Sequence, residues 1–356
     1  MNKSTYYIIG VMSGTSVDGI DICYSKYILD ESWLFEIIKC ETIPYSKKWK
    51  NILNNVVNFD QDYLKTIDIN YTSLLAKVIN NFISLNSISQ IDAISSHGHT
   101  VFHKPNDGIT FQIGNLKLLS TLTKLTCVCD FRVQDVLLAG QGAPLVPVGD
   151  KHLFSKYKYC INLGGFTNIS FSNSNEVFAF DICPLNIVLN RYAQKLGYEY
   201  DDYGKFSSKG KIILKLLNFL NSNSFYKKNG PKSLGLEWVN ENIFDHIDKL
   251  NYDPYDILCT FVEHSAIQIA NTLNRYGNNS VLLTGGGTYN KFFLKRLIAI
   301  SSSNFVIPDK NLIEFKEALI FGFLGILRLR NENNCLKSVT GASKDHCSGK
   351  IYEIFN

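Results

Sequence analysis

Three glycine-rich turns, each placed directly after an apolar run, constrain this chain more than any other feature. They are Gly14-Thr15-Ser16 after "YYIIGVM", Leu163-Gly164-Gly165 after "YCINL", and Thr284-Gly285-Gly286-Gly287 after "SVLLT". Runs rich in β-branched and aromatic residues read as strands. Glycine lets the backbone after such a strand approach a ligand closely and aim successive N–H groups at one anion. Ser13, Thr15 and Ser16 add hydroxyl donors, and Asn168 adds an amide. A single turn of this kind reads equally well as a connector between strands. Three in one chain favour phosphate binding, and a nucleoside triphosphate is the anion that uses several together. None carries the Lys-Ser/Thr ending of a P-loop or the GxGxxG spacing of a dinucleotide site.

With 356 residues, 45% of them hydrophobic, the chain is long enough for two domains with sizeable cores. Its 36 basic and 32 acidic residues leave a net charge of +4 and form no dense block, which argues against nucleic acid or a membrane as partner. The nine cysteines are irregularly spaced, and the closest pair, Cys127 and Cys129, matches neither a redox nor a zinc motif. Reduced thiols and a cytoplasmic location are expected. The N-terminal "YYIIGVM" is interrupted by Gly10 and followed by Asp18 and Asp21, unlike a signal peptide. The longest apolar stretch, "ALIFGFLGILRL" at 318–329, falls far short of the ~20 residues that span a bilayer.

A strand–turn–strand pattern occurs twice. Residues 6–28 show it, and residues 157–181 repeat it as "YKYCINL", "GGFTNIS" and "FSNSNEVFAFDI", the last with a Ser-Asn turn inside. Two similar α/β domains follow from this pairing. Helices are expected over "PLNIVLNRYAQKLG" with Pro184 in the first turn, from Asp256 to about Tyr276, and from near Phe315 with Glu317 in the first turn. "AGQGAPLVPVGD", at 139–150, has no helical period and reads as a domain crossing or a substrate-facing loop.

Several side chains invite chemistry, each beside a plainer reading. Asp181, after "FAF", is either the N-cap of the following helix or a general base. His97, His99 and His103 suggest a metal, but on one strand they span too far to converge. Arg132 is either a carboxylate clamp or an ion-pair partner of Asp130 or Asp135. Glu317 suits a helix dipole as well as a ligand. Lys232 and Ser233 read either as a solvated loop, the plainer case, or as a loop that approaches a substrate, and Cys183 as a small core residue rather than a nucleophile.

"GVMSGTSVDGID", "SSHGHTVFHKP", "FQIGN", "CDFRVQDVLLAGQGAPLVP", "INLGGFTNIS", "FDICPLN", "PKSLGLEWVN", "TGGGTYN", "KEALIFGFLG" and "SVTGA" follow one another over nearly the whole chain. In this order they resemble the anhydro-N-acetylmuramic acid kinase family, within the sugar kinase, actin and heat-shock chaperone ATPase superfamily. The resemblance implies an α/β, two-domain actin-like ATPase fold (ribonuclease H-like), with mixed five-stranded sheets flanked by helices and an interdomain cleft that closes on substrate. The domains are expected at 1–138 with 336–356, and at 139–335.

By the same resemblance the cofactors are ATP and Mg²⁺, the partner is a small sugar, and the chain forms a homodimer. Gly14, Thr15, Ser16, Val17, Asp18, Gly19, Ile20 and Asp21 face the nucleotide, with Gly164, Gly165, Asn168, Gly285, Gly286 and Gly287. Asp18 and Asp21 are candidates to hold Mg²⁺ through water, or one of them to steady the turn. Asp181 is the general base. Ser13, His97, Thr100, Arg132 and Glu317 bind the sugar, Arg132 through its lactyl carboxylate. Water would open the 1,6-anhydro bridge and O6 would take the γ-phosphoryl group, giving N-acetylmuramic acid 6-phosphate and ADP. The commoner family pattern after the aspartate is Thr-Gly-Pro-Gly-Asn. Here Ile182, Cys183 and Leu185 stand in three of those places, which implies a differently shaped wall beside the ligand. The alternatives are a metal-dependent hydrolase using His97, His99 and His103, and a nucleotide- or muropeptide-sensing relative that no longer turns over.

Overall fold

The computed structural model describes residues 3–14, 17–173 and 176–354. The chain forms two compact units, Met1–Phe154 with Phe315–Asn356, and Ser155–Glu314. The second unit is therefore an insertion in the first. Residues 139–154 and 315–335, assigned to the second domain from sequence, pack within the first unit. Gly149 lies so close to Ile320 that a Cβ there would come within 2.6 Å of it, and Tyr27 Oη donates to the Leu319 carbonyl at 2.6 Å.

Twelve strands are described. In chain order they are β1 (Thr5–Ser13), β2 (Gly19–Leu29), β3 (Trp33–Pro44), β4 (Ala93–Lys104), β5 (Ile109–Ile113) and β6 (Cys127–Cys129), then β7 (Tyr159–Leu163), β8 (Phe166–Asn173), β9 (Glu176–Pro184), β10 (Ser280–Thr284), β11 (Asn304–Val306) and β12 (Lys350–Tyr352). The first unit holds a mixed sheet in the order β12-β6-β4-β1-β2-β3, with β5 also on β4. It has seven strands where five were expected, because β5 and the C-terminal β12 add to it. The second unit holds five, β11-β10-β7-β8-β9, parallel from β11 to β7 and antiparallel from β7 to β9. The class is α/β, as read from the sequence.

Local chemistry explains the main elements. β1 and β4 bury most of their positions, as central strands do, whereas the edge strand β3 is exposed at most of its positions. Helix Gln61–Leu85 starts where the Asp60 carboxylate accepts from Tyr63 N–H at 2.9 Å, and it buries Leu64, Ile67, Tyr71, Leu75 and Ile79 at helical spacing. Helix Pro254–Tyr276 is capped by Asp253, opens on Pro254 and ends at Gly277, whose φ of +97° suits glycine.

Several sequence boundaries move. "FTNIS" is strand rather than turn, because it pairs along β7. Ser174 and Asn175 of the expected Ser-Asn turn lie outside the described residues. Pro184 closes β9, and the following helix is Asn186–Lys195. Val146–Leu153 is helical, with Pro147 in its first turn. The last long helix runs Lys310–Leu329, so Glu317 lies well inside it and is not a first-turn acid.

That last helix sits on the first sheet at glycine distance. A Cβ on Gly10 of β1 would fall 1.9 Å from the Ala318 carbonyl oxygen, and one on Gly325 would fall 2.5 Å from Ser95 Oγ. Both obstacles are fixed by the fold, so neither can move aside cheaply. Gly10→Ala is expected to lower stability by about 3 kcal/mol or more, as severe overpacking does. Urea melts of the two proteins measure this, and equal midpoints would contradict the close contact.

Candidate active site

In the second unit, the side chains that attract attention gather at one end of β7, β8 and β9. Asp181 lies within β9 at the edge of the sheet, paired with Asn168 of β8. It caps no helix, since helix Asn186–Lys195 begins five residues later without a side-chain cap. The segment after Gly230 runs along this edge. Asp181 N–H donates to the Lys232 carbonyl at 3.0 Å, and Leu234 N–H donates to Asp181 Oδ2 at 2.8 Å. Burial pushes the Asp181 carboxyl up to about 6, while the Leu234 bond and the Lys232 ammonium pull the other way. Lys232 is itself brought down to about 8 by burial. Its Nζ donates to the Phe225 carbonyl at 3.1 Å and lies over the Phe225 ring. This lysine is thus held rather than freely solvated. Its place beside Asp181 was not legible in sequence, because the loop carrying it is fifty residues away.

Two of the glycine turns meet here. A Cβ on Gly285, where φ is +84°, would fall 2.5 Å from Asn162 Oδ1, and one on Gly287 would fall 2.7 Å from Leu163. Only glycine permits this approach. Gly164 and Gly165 accept from the N–H groups of Asn186 and of Leu185 and Ile187, which joins the turn to the start of the helix. Asn168, Gly165 and Gly286 are exposed beside them. This is the kind of small-residue recess in which backbone groups can approach a polyphosphate.

The three residues that depart from the family pattern do not form a wall. Ile182, Cys183 and Leu185 are almost fully buried in the apolar core of the unit, and Leu185 packs against Gly287. The larger side chains point inward, so the expectation of a reshaped ligand wall is corrected. Burial raises the Cys183 thiol to about 12, consistent with an inert core residue.

The first unit carries the other candidates. Gly14 O accepts from Val17 N–H at 3.3 Å, and Val17 is buried with a positive φ of 58°. Thr15 and Ser16 lie outside the described residues. Asp18 is exposed, Gly19 and Ile20 are buried in β2, and Asp21 accepts from Thr42 Oγ1 at 2.6 Å. Ser13 is buried in a hydroxyl chain, 2.6 Å from Tyr45 Oη and 3.0 Å from His99 Nδ1. Tyr45 in turn meets Tyr71 Oη at 2.6 Å. Ser13 therefore ties the end of β1 to Tyr45 and His99.

Arg132 makes neither expected ion pair. Asp130 is paired with Lys350 at 2.7 Å, and Asp135 accepts from Gly142 N–H and Thr340 Oγ1. Arg132 Nε instead donates to His97 Nε2 at 2.8 Å, and Nη1 donates to the Gly142 carbonyl at 2.6 Å. Both ring nitrogens of His97 are engaged, Nδ1 with the Gly98 carbonyl at 2.9 Å. This is a correction for His97: it aims the guanidinium instead of donating to a ligand. His99 meets Ser13 and His103 meets Thr110, so the three histidines do not converge. Thr100 is half-buried on β4 opposite Gln112. Glu317 is exposed to solvent yet crowded by protein, which raises its carboxyl, while the Arg132 charge opposes that rise.

A family model described as anhydro-N-acetylmuramic acid kinase matches residues 6–354. The chain belongs to the anhydro-N-acetylmuramic acid kinase family. The relative of that name from Haemophilus influenzae is 31% identical, over 99% of both chains. The one from Pseudomonas syringae pv. syringae is 33% identical, over 98% of this chain and 99% of its own. Membership in the anhydro-N-acetylmuramic acid kinase family accounts for the order of the sequence motifs along the whole chain. No disulfide joins the cysteines among the described residues. No helix among the described residues is long and apolar enough to cross a membrane.

Proposed function

We propose that this chain opens 1,6-anhydro-N-acetylmuramic acid with water and phosphorylates it from ATP. The observation that carries the reading is the Asp181 carboxyl on the β9 edge, raised by burial to about 6. Such a group is mostly ionised at neutral pH yet basic enough to accept a proton, which is what general-base catalysis needs.

Asp181 takes a proton from water as the water oxygen bonds to the anomeric carbon, and the bond from that carbon to O6 breaks. O6 then bonds to the γ-phosphorus as the β–γ bridge breaks and ADP leaves. The Leu163–Gly165 and Gly285–Gly287 turns hold the phosphates, with Gly14 through Asp21, the turn after β1 and the start of β2, contributed by the first unit. Arg132, set by His97, grips the lactyl carboxylate, and Glu317 and Thr100 bind the sugar. Asp18 and Asp21 offer the carboxylate oxygens a hard cation prefers; they would hold Mg²⁺, which would supply positive charge beside the phosphates. Cysteines that form no disulfide among the described residues support a cytoplasmic location, and the expected assembly is a homodimer, which light scattering measures.

ADP release with 1,6-anhydro-N-acetylmuramic acid, against ordinary hexoses and no sugar, tests the reading. Sugar-dependent release supports it. Nucleotide binding without turnover would favour the sensing alternative.

The pH profile gives a second check. Activity should fall as pH drops through about 6, where Asp181 becomes protonated. The Lys232 ammonium favours the ionised carboxyl, so Lys232→Met should move this acid limb to higher pH. An unmoved limb would separate Lys232 from the base.

A further inference from the structure

Asp135, Cys335 and His346 form a buried group apart from the residues assigned above, with one oxygen, one sulfur and one nitrogen all within 4.8 Å of one another. Cys335 and His346 face each other in an isolated antiparallel bridge and exchange both backbone bonds at 3.1 Å. Opposed residues of such a pair send their side chains to the same face. Asp135, from helix Val133–Leu137, meets them there, and the three are 0%, 1% and 4% exposed.

The bonds around the cluster aim its donors. Asp135 Oδ2 accepts from Gly142 N–H and Oδ1 from Thr340 Oγ1, both at 2.7 Å. His346 Nδ1 lies 3.2 Å from the Lys344 carbonyl, which can only accept, so that nitrogen carries the proton. In the neutral ring, Nε2 is then the lone-pair nitrogen. It is buried, has no hydrogen-bond partner among the described residues, and lies 3.5 Å from Asp135 Oδ1. A lone pair facing a carboxylate oxygen is repulsive unless something positive lies between them. The Cys335 sulfur, which also meets the Ser348 hydroxyl, lies beside the same gap.

We propose that Asp135, Cys335 and His346 supply three ligands to a bound zinc ion, with a water molecule as the fourth. Mixed oxygen, nitrogen and sulfur donors suit zinc and disfavour magnesium or calcium, which take oxygen ligands. Zinc distances of about 2.0–2.3 Å require the three donors to draw together, which side-chain rotation can supply. With an ionised aspartate and a thiolate, the buried complex is electrically neutral. Gly142 N–H and Thr340 Oγ1 act as the outer partners that orient a ligating carboxylate. The ion ties the 335–346 segment to the Gly142 loop, whose carbonyl holds Arg132.

Full-length protein made in zinc-supplemented medium and desalted should retain about one zinc per chain by elemental analysis. Cys335→Ser and His346→Gln should each weaken zinc binding by at least ~10-fold. Cobalt added to chelator-stripped wild type should give a near-ultraviolet thiolate-to-cobalt band, which Cys335→Ser abolishes. Substoichiometric zinc, a cobalt spectrum without the sulfur band, or full zinc retention in both variants would each overturn the site and leave an Asp135–His346 ion pair. If the variants fail to fold, the wild-type cobalt spectrum decides alone.

Discussion

Asp181→Asn is expected to lower kcat by roughly 10²- to 10⁴-fold, the usual contribution of a general base. Its melting temperature should be no lower than that of wild type. The carboxyl rises from an ordinary 3.8 to about 6 on folding, so the folded chain binds the proton more tightly than the unfolded one. That preference adds stability below about pH 4, and the stability is lost as pH rises through about 6. At neutral pH the ionised group therefore costs stability, at most about 3 kcal/mol, and partial exposure reduces this. Asparagine removes the cost and still accepts from Leu234 N–H. Turnover and a thermal melt on the same sample separate the outcomes: retained turnover takes the base role from Asp181, and a collapsed melt makes it structural.

Arg132→Leu should raise the sugar KM by roughly 10- to 100-fold, the equivalent of losing a charge-assisted hydrogen bond of about 1.5–3 kcal/mol. The ATP KM should change little. The bonds to His97 and Gly142 occupy Nε and one side of Nη1, so the outward N–H groups of the terminal nitrogens remain for a carboxylate. Arg132→Lys keeps the charge without the planar fork and should fall between the two. Equal loss for both substrates would instead place Arg132 in the scaffold, holding the Gly142 loop.

The strands were legible because their composition and burial agree. "YYIIGVM" and "SVLLT" are buried runs, and each is a strand as read. Glycine turns were legible as turns, but the mutual approach of Gly285 and Leu163 was not, since it joins residues more than a hundred positions apart. The last long helix begins before Phe315 because Asp309 caps it, its carboxylate accepting from Leu312 N–H at 3.1 Å, while its first turn, Lys310–Ile313, is only half apolar and so shows little helical period. His97 was misjudged for a general reason: sequence shows that an imidazole is present, not that both its nitrogens are taken. Ile182, Cys183 and Leu185 misled in the same way. Replacing glycine by bulk suggested a blocked pocket, while the alternation of β9 and the turn after it send that bulk inward.

The insertion of one unit within the other sets an order of birth. Residues 155–314 emerge from the ribosome as a continuous stretch carrying all five strands of their sheet. The surrounding unit must wait, because helix Lys310–Leu329 and β12 are the last parts made, and β1 and β6 lack those neighbours until then. A nascent chain stalled just after residue 314 would display an apolar sheet face to chaperones, while its younger half had already closed.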